Sequence, residues 1–131
     1  MFILKILFIF FICLNISSSY ASNIKNSAVV FMYHKFGVSK YPSTSVTIDQ
    51  FEAHLKEFSK SKYSVESVEF IIDTIINDGD LPKNTIGISI DDADKSFYEV
   101  GWPKFKEMGF PVTLFVNTST IHENNKNYLN W

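Results

Sequence analysis

Three acids fall close together in this chain of 131 residues: Asp91, Asp92 and Asp94, within Thr85-Ile-Gly-Ile-Ser-Ile-Asp-Asp-Ala-Asp94. They end an apolar, β-branched run (Ile86, Ile88, Ile90) that reads as a short buried strand. A buried strand carries no charge in its middle, so the acids belong at its C-terminal mouth. In parallel α/β folds that rim is where chemistry is assembled. Adjacent strand residues point to opposite sides, which gives Asp91 and Asp92 different tasks. Two neighbouring carboxylates repel, and such a pair favours a bound cation or a raised pKa. One could hold a cation while the other handles a proton. For Asp94 the simpler reading is a turn or an N-cap.

Composition narrows the field. The formal net charge of −2 and the absence of any Lys/Arg run give no electrostatic case for nucleic acid. A hydrophobic content of 46%, with 16% aromatic, suffices for a core and argues against disorder. Met1 to Lys5 carries a positive charge, Ile6 to Ile16 is apolar, and Ser17-Ser-Ser-Tyr-Ala21 follows with small residues at the A-x-A positions. That pattern predicts a signal peptide over residues 1–21, cleaved after Ala21. The apolar run is short of the ~20 residues a membrane span needs. Export to the periplasm or the extracellular space is therefore expected, with no stable membrane span after cleavage. Cys13 is the only cysteine and lies inside this segment, so the mature chain would have neither disulfides nor a catalytic thiol.

The elements that must position the acids can be read in order. Ala28-Val-Val-Phe-Met-Tyr33 is a strand-length apolar run ending at His34-Lys35, and Gly37 to Ser45 reads as a loop. Thr47-Ile-Asp-Gln50 has the capping-box pattern and opens a helix to about Lys62, with Phe51, Leu55 and Phe58 on its apolar face. His54 lies on the edge of that face, as a boundary residue rather than a ligand. Tyr63 to Ser67 reads as an extended link, and Val68 to Asn77 as a second helix stopped by Asp78-Gly79-Asp80 and Pro82. After the acidic strand, Asp94 caps a short irregular segment with Phe97 and Val100 inward. Pro103 suits the start of a helical turn, Gly109 its stop, and Pro111 to Val116 a further strand. Beyond it the tail is polar, and His122 reads as a loop residue. Strands alternating with helices predict an α/β fold with parallel strands. A closed (β/α) barrel needs roughly 200 residues or more, so the expectation is the first part of a distorted (β/α) barrel.

Three segments share the order and spacing of a known family. Val29-Val-Phe-Met-Tyr-His34, Ser89-Ile-Asp-Asp-Ala93 and Gly109-Phe-Pro-Val-Thr-Leu-Phe-Val116 resemble the NodB-homology polysaccharide deacetylases, carbohydrate esterase family 4. The resemblance covers residues 28–131, read as the N-terminal portion of such a domain. It implies metal-dependent hydrolysis of N-acetyl groups on an amino-sugar glycan, with Asp91 as general base and Asp92 as metal ligand. The implied cofactor is a divalent cation, Zn, with Co or another divalent metal as substitutes. His34 lies where many relatives carry Tyr-His and is a candidate for lining the substrate pocket. Ala93 replaces the usual Gly and asks only for a backbone conformation open to Ala. The family completes its metal site with a His-x-x-x-His motif, and the three histidines here (His34, His54, His122) form none. The chain alone is therefore expected to be inactive. Two rivals remain. Asp92-Ala-Asp-Lys-Ser96 also fits the D-x-D-x-[ST] pattern of haloacid-dehalogenase-like phosphotransferases, using Asp92 and Asp94 with Mg²⁺. The other is an exported glycan-binding remnant without catalysis.

Overall fold

The computed structural model describes residues 27–123 and 125–130. The expected signal peptide, Cys13 and Trp131 lie outside the described residues. Among those described, no helix is long and apolar enough to cross a membrane.

The acidic strand is the centre of a parallel sheet. Strand β5 (Thr85–Asp91) has β1 (Ala28–Tyr33) along one edge, pairing Ala28 to Tyr33 with Thr85 to Ile90. Its other edge takes β4 (Ser64–Glu66) beside the first residues and β6 (Thr113–Phe115) beside Ser89 to Asp91. Every one of these pairings is parallel, as the alternation of strands and helices predicts. A second small sheet joins β2 (Lys35–Phe36) to β3 (Ser45–Val46), folding the loop after β1 back beside that strand's end.

Helix α1 (Ile48–Phe58) starts at the expected capping box: Gln50 N–H donates to Thr47 Oγ1 at 3.2 Å, and Thr47 N–H donates to Gln50 Oε1 at 3.1 Å. It buries Phe51, Leu55 and Phe58, but it stops short of Lys62. The chain turns through Ser59 to Tyr63 because the following residues are drawn into the sheet. The expected link is thus strand β4, paired through Glu66 and Gly87. Helix α2 (Val68–Ile76) is capped by Ser67 and buries only Val68 and Ile71; Phe70, Ile72, Ile75 and Ile76 are exposed.

After the acids a π-helical turn (Phe97–Gly101) runs directly into α3 (Trp102–Glu107), with Pro103 in the first turn. Gly109, at φ +67°, ends it in the left-handed conformation that glycine adopts freely. Helix α4 (Thr118–His122) replaces the expected polar tail. Asn117 Oδ1 accepts from Ser119 N–H at 3.2 Å and from its hydroxyl at 2.8 Å, which starts that helix.

The core between the sheet and helices α1 and α3 is largely aromatic. Ile86, Ile88 and Ile90 of β5 meet Tyr33, Phe36, Phe51, Leu55, Phe58, Phe97 and Phe105. Phe51 packs edge-on to Phe36 and Phe105, with ring centroids 4.8 and 5.0 Å away. On the opposite face Gly87 leaves room for Ile71 and Val68 of α2 and for Val30 of β1.

Candidate active site

Strand parity decides which side chains meet at the mouth of β5. Gly87, Ser89 and Asp91 share one face, and the register places Val30 and Met32 beside Gly87 and Ser89. One step further along, His34 comes beside Asp91. Its Nε2 stands 3.8 Å from Asp91 Oδ2, with both side chains half-buried. That separation is too long for a direct hydrogen bond, serves as an ion pair when the imidazole is protonated, and suits a bridging water. Asp91 and His34, two of the residues singled out in the sequence, are thus brought together.

Asp92 lies just past the strand at φ +68°, and Ala93 follows at φ +57°. Two consecutive non-glycine residues in the left-handed region cost on the order of 1–2 kcal/mol each. Ala93 is therefore not in a conformation readily open to alanine, contrary to the expectation above; glycine would adopt it without strain. The reversal takes the chain off the strand, and Asp94 just beyond it is buried. Among the described residues no hydrogen bond or ion pair engages the Asp92 carboxylate.

Asp94 is fully engaged. Its Oδ1 accepts from Ser96 N–H at 2.9 Å and from the Ser96 hydroxyl at 2.6 Å, and its Oδ2 lies 3.3 Å from Lys35 Nζ. Ser96 Oγ in turn accepts from Phe36 N–H at 3.0 Å. This is the expected turn role, enlarged into a buried network tying β2 to the acidic loop. The segment around Tyr128 closes on the same loop: Leu129 N–H donates to Ala93 O and Lys95 N–H to Asn127 O, each at 2.9 Å.

His54 sits at the helix edge, as expected, but it has a specific partner. Its Nδ1 is 2.9 Å from the Tyr33 hydroxyl, and burial pushes the Tyr33 phenol well above its ordinary value. His54 and His34 line one cavity of about 300 Å³ with Ser43 and Thr44. His122 is exposed at the end of α4, a helix rather than a loop. Two participants had no signal in the sequence beyond their residue types: Lys35, which binds Asp94, and Tyr128, far along the chain.

Among the described residues no three His, Cys, Asp or Glu side chains converge. A catalytic zinc takes three protein ligands, so the described residues do not fit such an ion by themselves. What they can do is hold a water between Asp91 and His34 and accept its proton.

Comparison with solved structures places the fold. The deacetylase PplD of Streptococcus pyogenes, solved in complex with acetate, superposes with a TM-score of 0.70 at 22% identity, over 81% of this chain and 49% of that one. A de-N-acetylase from Aggregatibacter actinomycetemcomitans gives 0.63 at 22% identity, over 72% of this chain and 39% of that one. In sequence, the poly-β-1,6-N-acetyl-D-glucosamine N-deacetylase of Staphylococcus aureus (strain MSSA476) is 27% identical over 116 residues, 77% of this chain. The chain resembles the polysaccharide deacetylases. No protein-family model matches it. The chain spans 39% of the length of that deacetylase. Its α/β architecture with parallel strands is that of part of a deacetylase domain.

Proposed function

We propose that this chain contributes the paired-acid part of a hydrolase that removes N-acetyl groups from amino-sugar polysaccharides or oligosaccharides. Residues 28–131 are assigned to its deacetylase domain, behind an export signal over residues 1–21. The observation that carries this reading is the meeting of Asp91 and His34 at the C-terminal end of β5, in a fold shared with solved de-N-acetylases.

In this reading Asp91 is the general base. It takes the proton of the water that attacks the acetamide carbonyl. His34 lines the pocket beside it and contacts the sugar. Asp92 is assigned as this chain's ligand to a divalent cation, Zn or Co, and the described residues stop short of a complete site for that ion. For this reason the 131-residue chain alone is proposed to release no acetate. The phosphotransferase alternative requires Asp94 to be free for acid–base work, and both Asp94 oxygens are already engaged by Ser96 and Lys35.

The test is acetate release from N-acetylglucosamine oligomers and from poly-β-1,6-N-acetylglucosamine, with and without added zinc or cobalt. The chain alone is expected to release none. A version joined to a segment that carries a His-x-x-x-His is expected to release acetate and to lose that activity on Asp91→Asn. A folded, extended, metal-loaded protein that releases none from any of these polymers overturns the assignment.

A further inference from the structure

A second cavity, of about 600 Å³, borders the acidic loop and meets the His34 cavity at Thr44. Its base is Lys35, a buried cation paired with Asp94 at 3.3 Å. The Lys35 ammonium also lies over two aromatic rings, Tyr41 at 5.6 Å and Tyr128 at 5.5 Å from the ring centroids. One buried cation thus draws together tyrosines almost ninety positions apart and holds them as cavity walls. Exposed Lys40, Lys95 and Lys126 stand around the opening, with Glu99 as the single acid among them. Because Lys35 and Asp94 neutralise each other, the open part of the cavity carries three cations against one carboxylate. The chain as a whole carries −2, so this concentration of positive charge is local.

We propose that this cavity is a subsite for a sugar residue bearing an anionic group, a carboxylate or a phosphate. The subsite rests on the deacetylase reading and specifies the glycan further. Tyrosine rings offer apolar faces for the C–H side of a pyranose and hydroxyls for its polar edge. Lys40, Lys95 and Lys126 then meet the anion by charge-assisted hydrogen bonds. The wall carrying Tyr128 and Lys126 is bonded to Ala93 and Lys95, so a sugar held there lies beside the loop that follows Asp91 and begins with Asp92. The glycan would place an acidic sugar here and the acetamide to be cleaved at the neighbouring cavity.

The test is direct binding to the full chain by titration calorimetry, with N-acetylglucosamine, N-acetylglucosamine 6-phosphate, N-acetylmuramic acid and inorganic phosphate as probes. An exposed charge contact is worth a few-fold in affinity, so three give a preference of about tenfold for the acidic sugars over the neutral one. Lys95→Ala with Lys126→Ala is expected to cut that preference to about twofold, as is ~0.5 M salt. Tyr128→Ala is expected to weaken both acidic sugars while the circular dichroism spectrum is unchanged. Carboxylate- and phosphate-bearing sugars binding unequally would name the source of the anion. Three results overturn the subsite: equal binding of the neutral sugar, inorganic phosphate binding as tightly as the sugar phosphate, or a preference that survives the double lysine substitution. None of these readouts involves acetate release, so the subsite can fail while the deacetylase reading stands, and the reverse.

Discussion

On one face of β5, Ile86, Ile88 and Ile90 are sealed under the aromatic side chains of α1, α3 and the π-helical turn. On the other face, Gly87, Ser89 and Asp91 look past β1 residues that remain open to solvent, Val30 at 45% exposed and Met32 at 61%. Val68 and Ile71 of α2 close over the lower part of this second face, at Gly87, Thr85 and Ser89 are buried as well, and the face opens at its upper end, at Asp91. The two faces are separated by one peptide plane and do different work. The aromatic face supplies burial, at roughly 25 cal/mol per Å² of apolar surface removed from water, and so fixes where β5 lies. The open face presents Asp91 and His34. Acids are tolerated at the end of this strand because the opposite side has already anchored it.

The sharpest way to break that division is Phe51→Ala. Phe51 is fully buried and touches Tyr33, Phe36 and Phe105, so its loss should cost ~3–5 kcal/mol, read from urea unfolding. A cost under ~1 kcal/mol would mean that the aromatic face is not the anchor. Next come two glycines, one for each face. A Cβ on Gly101 would stand 3.0–3.1 Å from three carbons of the Phe36 ring, which is itself fully enclosed. A Cβ on Gly87 would meet Ile71 Cδ1 at 2.9 Å and Val30 Cγ2 at 3.2 Å, both ends of side chains that can swing aside. Gly101→Ala should therefore cost ~1–3 kcal/mol and Gly87→Ala ~1 kcal/mol or less. The reverse order of urea midpoints would show the second face to be the more rigid.

These sites also explain how far the sequence could be read. Local chemistry announces itself locally: Thr47-x-x-Gln50, the Phe51, Leu55, Phe58 spacing and Gly109 each did what their types prescribe. The Ile86, Ile88, Ile90 alternation before Asp91 gave the central strand, and with it the place where acids surface. What pairing across the chain decides was not legible. Ser64-Val-Glu66 is too short and too polar to declare itself a strand, and becomes one because β5 offers an edge. Helix α2 is apolar on nearly every side, so periodicity could not tell that only Val68 and Ile71 would be covered. At the site, the Asp91–His34 meeting follows from a parallel register that no local pattern encodes. Lys35 looked like an ordinary lysine after a strand; its burial against Asp94 and Tyr128 depends on residues more than fifty positions away.

A smaller effect sharpens the contrast. Asp91→Asn keeps the shape of the side chain and removes a charge that is half-exposed and only loosely paired with His34. Stability should change by less than ~1 kcal/mol, while acetate release by the extended, metal-loaded protein should be lost. Retained activity would move the base elsewhere. A large loss of stability would mean that the open face also holds the fold.

The smallest effect belongs to a residue on neither face. Glu57 points to solvent from the last turn of α1, and hydrogen bonds from Lys60, then Lys62 and Tyr63, lower its carboxyl to about 2 from the ordinary 4.5. A carboxyl depressed in the folded state stabilises the protein above the unfolded value and loses that contribution as pH falls from 4.5 towards 2. Wild type and Glu57→Gln should therefore differ most in urea midpoint near neutral pH and converge as the solution is acidified through that window. Because the carboxylate is exposed, the neutral-pH difference should be slight and should shrink further in ~0.5 M salt. A difference as large as that of Phe51→Ala, or one that grows on acidification, would mean that this surface cluster anchors α1 and that burial over β5 is not the main source of its stability.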